Sequence, residues 1–156
     1  MRACRMSLPH RPLHYFVAGL IVAEGSFGKK KYKNPGRFTF TNTDPELIKL
    51  VYTFLIKYLK IPPDKIFIYI TYNTEITDLN QHQIKDFWKK TLGINEEKIR
   101  IYPYRRKVKQ IRKRNNYGIC QIRINDKVSR RKIENFIKDI TTKLKMAVGE
   151  GHIESP

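Results

Sequence analysis

Glu24 closes a segment, Val17-Ala18-Gly19-Leu20-Ile21-Val22-Ala23-Glu24-Gly25, in which every other residue is apolar or glycine. Read as a helix, it places Gly19 and Ala23 four residues apart on one face with no bulk, so a second copy of the same helix can approach closely. Ala18 and Val22 are expected to complete that contact seam. Glu24 falls at the helix C-terminus, where a carboxylate and the negative end of the helix dipole together favour a cation. Two such helices side by side would deliver two carboxylates to one spot. A second chemistry lies further along. Arg105, Arg106, Lys107, Lys109, Arg112, Lys113 and Arg114 follow one another with no acid between them, flanked by Tyr102, Tyr104 and Tyr117. Such a run is a solvated loop when left alone and a phosphate clamp when a polyanion orders it.

The elements that must hold these groups are set out by periodicity. Tyr15 to Glu24 is apolar nearly all round, which predicts a buried helix with Gly25 as its left-handed cap. Ser26 to Lys33 and Arg37 to Asn42 read as a hairpin turning at Asn34-Pro35-Gly36. Asp44 caps a helix that starts at Pro45, carries Leu47, Leu50, Val51, Phe54, Leu55 and Tyr58 at helical spacing, and stops before Pro62-Pro63. Lys65 to Tyr72 alternates as a third strand. Asp78 and Gln81 have capping-box spacing for a helix bearing Ile84, Phe87, Trp88 and Leu92 and ending at Gly93. Strands at Lys98 to Tyr102 and Tyr117 to Asn125, then a helix through Ile133, Phe136, Ile137, Ile140 and Leu144, complete the order α-β-β-α-β-α-β-β-α.

Strand pairs alternating with helices, without regular β-α-β crossovers, predict an α+β domain: a mixed, largely antiparallel sheet with helices packed on its apolar face. Its other face would carry Lys29, Lys31, Lys33, Arg37, Thr39, Thr41, Tyr69, Thr71, Gln121, Arg123 and Asn125. That is a cationic, hydrogen-bonding surface, and its plain alternative is an ordinary solvated sheet face. Residues 1–13 and 149–156 are expected to be tails on a single domain of residues 14–148.

Composition points the same way. Thirty-two Lys and Arg against fourteen Asp and Glu give a formal net charge of +18 over 156 residues, more than solubility requires. A polyanionic partner is expected. Nucleic acid suits better than a membrane, because the longest apolar run, Tyr15 to Ala23, is too short to span a bilayer. The basic residues before that run give it some likeness to a secretory signal, but only Cys4 and Cys120 are present, without CxxC spacing. Reduced thiols, no zinc site and a cytoplasmic, nucleoid-associated protein are the expectation, with Cys120 a core residue.

The Val17–Gly25 segment, followed by Ser26-Phe27, resembles the LAGLIDADG signature of homing endonucleases. It matches at the Ala, Gly, Leu, Ile, Ala and final Gly positions, with Glu24 where the last acid belongs. The likeness continues through the hairpin, through Phe38-Thr-Phe-Thr-Asn-Thr-Asp-Pro-Glu-Leu-Ile48, and through Tyr117-Gly-Ile-Cys-Gln-Ile-Arg-Ile124 before a closing helix. The resemblance implies a saddle-shaped sheet lying in the major groove of double-stranded DNA. One motif per chain implies a homodimer on a near-palindromic site. It further implies that Glu24 of each subunit binds Mg²⁺ at the scissile phosphates, that Asn42 helps to order the catalytic water, and that Lys145 is a basic residue near the same site. Val22 departs from the pattern, standing where a second acid is usual. An alternative is therefore a descendant that kept the saddle and lost the chemistry, binding DNA or RNA.

Overall fold

The computed structural model describes residues 11–28, 36–106 and 117–149. They form an α+β assembly of four α-helices and a five-stranded mixed sheet, in the order read from the sequence: α1 (Pro12–Glu24), β1 (Gly25–Phe27), β2 (Phe38–Asn42), α2 (Pro45–Lys57), β3 (Ile66–Asn73), α3 (Gln81–Leu92), β4 (Ile99–Tyr104), β5 (Ile119–Ile124) and α4 (Lys127–Gly149). Lys29, Lys31 and Lys33, the turn at Asn34-Pro35, and Lys107, Lys109, Arg112, Lys113 and Arg114 lie outside the described residues.

Strand order is β1-β2-β5-β3-β4. Three of the pairings are antiparallel, and β3 with β4 is parallel, pairing Ile68 with Ile99 and Asn73 with Tyr104. The sheet is thus mixed and largely antiparallel, as expected, with a single β-α-β crossover among the described strands. A parallel neighbour needs a long return path, and the stretch holding α3 supplies it.

Period-2 alternation decides which side of the sheet is covered. Phe38, Phe40, Ile66, Ile68, Ile70, Cys120, Ile122 and Ile124 are buried, and they share one core with Val17 and Ile21 of α1, Val51, Phe54 and Leu55 of α2, Ile84 and Trp88 of α3, and Ile133, Phe136 and Ile140 of α4. Truncating a fully buried ring such as Phe40 to alanine costs about 3–5 kcal/mol. Cys120 is wholly enclosed, and burial pushes its thiol pKa up, as befits a small core residue.

The helix ends show which local signals prevailed. Asp44 caps α2 as expected, its Oδ1 accepting from the Glu46 and Leu47 amides with Pro45 at the first helical position. α3 instead uses Asn80, two residues after the expected Asp78: the Gln83 amide donates to Asn80 Oδ1 at 3.0 Å, and the Asn80 amide donates to Gln83 Oε1 at 2.9 Å. Both caps have the right spacing. Only the Asn80 cap sets Leu79 and Ile84 at the two positions of a hydrophobic staple, and both side chains join the core.

α1 departs from expectation twice. It is not enclosed all round: Val17, Ala18 and Ile21 face the core, whereas Phe16 is 53% and Val22 65% exposed. Gly25 is extended (φ −85°, ψ 153°), not left-handed, because the chain runs straight from α1 into β1. A Cβ there would lie 2.2 Å from the Ile21 carbonyl oxygen, so this position needs glycine for close approach.

Candidate functional site

The uncovered side of the sheet is built in cross-strand rows. One runs Ser26, Thr39, Arg123, Phe67; the next runs Thr41, Gln121, Tyr69, Arg100; a third joins Ile119, Thr71 and Tyr102. Thr39, Thr41, Tyr69, Thr71, Gln121 and Arg123 thus share one face, as alternation predicted. Arg37 has the same parity and is half-buried just before β2, while Asn125 is exposed one residue beyond β5, outside the ladder.

At the centre of this face the side chains fix one another. Gln121 Nε2 donates to Thr41 Oγ1 at 3.1 Å, and Arg123 donates to Gln121 Oε1 from both Nε (3.2 Å) and Nη2 (2.6 Å). The Arg123 guanidinium lies 3.8 Å from the Tyr69 ring centroid, a cation–π contact. Tyr69 is parallel to Tyr102, with an interplanar angle of 4° and centroids 6.0 Å apart, and Arg100 sits 5.8 Å from the Tyr69 ring. Lys98 is 5.1 Å from the Phe67 ring. A hollow of about 170 Å³ opens among Thr41, Tyr69, Tyr102, Gln121 and Arg123. Such an arrangement offers fixed hydrogen-bond donors beside flat apolar faces, suited to a planar, acceptor-rich ligand.

Sequence reasoning missed Phe67, Lys98 and Arg100 as members of this surface. Their alternation was readable, but only the parallel β3–β4 register brings β4 to Tyr69.

The described residues on either side of the basic run are anchored, by Asn73, which was not singled out from the sequence, and by Phe87 and Trp88, read as part of a helix. Asn73 is buried. Its Nδ2 donates to the Arg106 carbonyl at 2.9 Å, while its Oδ1 accepts from the Arg106 and Glu75 amides. Arg105 is ion-paired with Glu75. On the other side, Trp88 Nε1 donates to the Tyr117 carbonyl at 2.8 Å, and Phe87 stacks on Tyr117 with centroids 3.6 Å apart. Trp88 is core, as expected, and it also ties down the chain where β5 begins.

The end of α1 lies beside this face. β1 starts directly after Glu24 and pairs Gly25 with Phe40, so Glu24 lies one residue step beyond that pair, towards Thr41 and the Asn42 end of β2. Glu24 is exposed. Asn42 Oδ1 accepts from the Asp44 amide at 2.9 Å, which commits it to the turn into α2. Lys145 is exposed near the end of α4, and among the described residues no hydrogen bond or ion pair joins it to Glu24. Of the four residues expected in the helix seam, Gly19, Val22 and Ala23 are exposed; Ala18 is 4% exposed and packs inward. Phe16, not anticipated, joins the exposed face.

Among the described residues, no three His, Cys, Asp or Glu side chains gather to hold a metal ion. No described helix is long and apolar enough to cross a membrane. No family model matches the chain, and neither a curated protein nor a solved structure matches it.

Proposed function

We propose that the chain is a single-motif endonuclease of the LAGLIDADG type, a homodimer that makes a metal-dependent double-strand cut in duplex DNA. One juxtaposition supports this reading above all. α1 leaves a bare apolar face with Gly19 in it, and the same helix ends in an exposed carboxylate beside an open, polar sheet face. Among the described residues a Cβ at Gly19 would meet nothing within 4 Å, so the position is open to the close approach that glycine allows. A second α1 is the occupant that fits, because its own bare face is equally apolar and equally free of charge over Phe16 to Ala23.

Pairing the helices along Gly19 and Ala23 would bring the two Glu24 carboxylates together and set the two open sheet faces side by side. The donor set suits Mg²⁺, which binds through one or two carboxylates and completes its shell with phosphate oxygens and water. Glu24 of each copy would hold it, and the ion supplies an activated water and charge stabilisation for phosphodiester cleavage. Arg100 and Arg123 would hold the duplex against the sheet, with the basic run from Arg105 to Arg114 gripping the backbone beyond.

The test is incubation of a randomised duplex library with protein and Mg²⁺, followed by sequencing of the cut ends. Cutting that Glu24→Gln abolishes while duplex binding persists is the expected result. A Glu24→Gln protein that still cuts removes the mechanism.

One observation favours a second reading. Asn42, expected near the catalytic water, has its Oδ1 engaged by the Asp44 amide, and Val22 already replaces one acid. A descendant that only binds DNA or RNA would keep the sheet network and never cut. Filter binding to duplex DNA and to structured RNA, with and without Mg²⁺, separates the two: preference for RNA with no cutting of any DNA selects the second.

A further inference from the structure

An arginine on an open sheet face is ordinarily a mobile chain whose five donors point wherever water allows. Arg123 is held on two sides. Along one edge, Nε and Nη2 both donate to Gln121 Oε1. Gln121 itself cannot turn over, because its Nε2 donates to Thr41 Oγ1, and the flipped amide would set an NH₂ group against the guanidinium. Against its flat side lies the Tyr69 ring, 3.8 Å away. What remains is the end-on edge, the parallel N–H groups of Nη1 and Nη2, which has no acceptor among the described residues, and Arg123 is one of the residues lining the hollow.

We infer that Arg123 selects guanine on this face, and that Thr41, Gln121 and Tyr69 are positioning residues which hold it for that task. The inference rests on reading the face as a DNA-binding surface. A guanidinium's end-on pair of N–H groups needs two adjacent acceptors. Among major-groove base edges guanine presents that pair, O6 and N7, whereas adenine sets a donor beside its acceptor and thymine and cytosine offer no such pair. Phosphate also accepts two N–H groups, but phosphate contacts tolerate mobile arms at the rim of an interface. Arg123 stands on β5, the middle strand of the five, and its guanidinium is held by Gln121 and Tyr69 without any ligand. Fixing a fork in advance improves discrimination between bases, since a wrong base then leaves at least one donor unpaired.

The test is selection from a randomised duplex DNA pool without Mg²⁺, run in parallel with the wild type, Arg123→Lys and Gln121→Leu. The expected wild-type pool carries guanine at one fixed position. Arg123→Lys keeps the charge and loses the fork, so preference for guanine at that position falls roughly ten- to a hundredfold, a larger change than any loss of affinity for unselected duplex. Gln121→Leu moves the same position in the same direction by less, because the arginine stays but is loosened. Base preferences identical in all three pools, or an affinity loss spread equally over all sequences, overturn the inference and leave the DNA-binding reading intact. A wild-type pool that enriches no duplex at all overturns both.

Discussion

On the open face of the sheet, Thr41, Gln121, Arg123 and Tyr69 bind one another across three strands; on the exposed face of α1, Phe16, Gly19, Val22 and Ala23 stand uncovered. The first surface is polar and finished within one subunit. The second is apolar and is left uncovered by the described residues. A preorganised polar network can work in a single copy, because its geometry is already set before a ligand binds. An apolar helix face with glycine in it works only when something packs there, since removal from water is its sole contribution. On the proposed function, recognition is therefore a property of each copy and cutting a property of the pair.

The largest effect expected from this division falls on Glu24. Glu24→Gln should slow cutting by roughly a thousandfold or more, taking several kcal/mol of charge stabilisation at tenfold per 1.36 kcal/mol. Duplex binding, measured by gel shift, should stay within experimental scatter. Gly19→Leu comes next. Among the described residues the new side chain meets open space, and leaving glycine in a helix interior should raise monomer stability by roughly 0.5–1 kcal/mol, seen as a higher Tm. Sedimentation should show self-association weakened at least tenfold, and cutting should fall with it. A variant that melts higher and still pairs and cuts normally would break the contrast.

Tyr69→Ala probes the finished surface. Removing the ring under Arg123 should weaken duplex binding by a few fold, the worth of a cation–π contact of about 0.5–1 kcal/mol, and that loss should not depend on protein concentration. Ser129→Ala is remote from both regions and carries the smallest expected effect. Hydrogen bonds from the Ser129 hydroxyl and amide hold the Asp126 carboxyl below the usual carboxylate range. A lowered folded-state pKa means that this contribution is complete above the ordinary carboxylate value and is lost as pH falls through the folded value. Ser129→Ala should move Asp126 back towards its ordinary value in an NMR titration and soften stability on the acid limb only, with binding and self-association untouched.

Much of the fold could be read from local rules. The Asp44-Pro45 start of α2 is decided by backbone amides that any nearby carboxylate can satisfy, so a short window suffices. Alternation along β2, β3 and β5 sorted core from open face because the strand period is two wherever the strands lie. Local rules failed where two solutions were equally good. Asp78 and Asn80 both offered a cap for α3, and the choice fell to Leu79 and Ile84 entering the core. They also failed at Gly25, where a left-handed cap and a close approach both favour glycine and only the path into β1 separates them.

By itself, the sequence determined the excess of positive charge, the element order, the face to which each strand residue belongs, and a carboxylate at the end of a glycine-bearing helix. Those properties depend on residue type and on neighbours a few positions away. Tertiary structure decided that β4 lies parallel beside β3, that Arg123 rests on Tyr69 while gripping Gln121, that Asn73 holds Arg106 and Trp88 holds Tyr117, and that Ala18 turns inward while Phe16 turns out. Each of these joins residues distant in sequence or depends on which neighbour packs against a helix, and spacing along a chain carries no information about contacts that only packing creates.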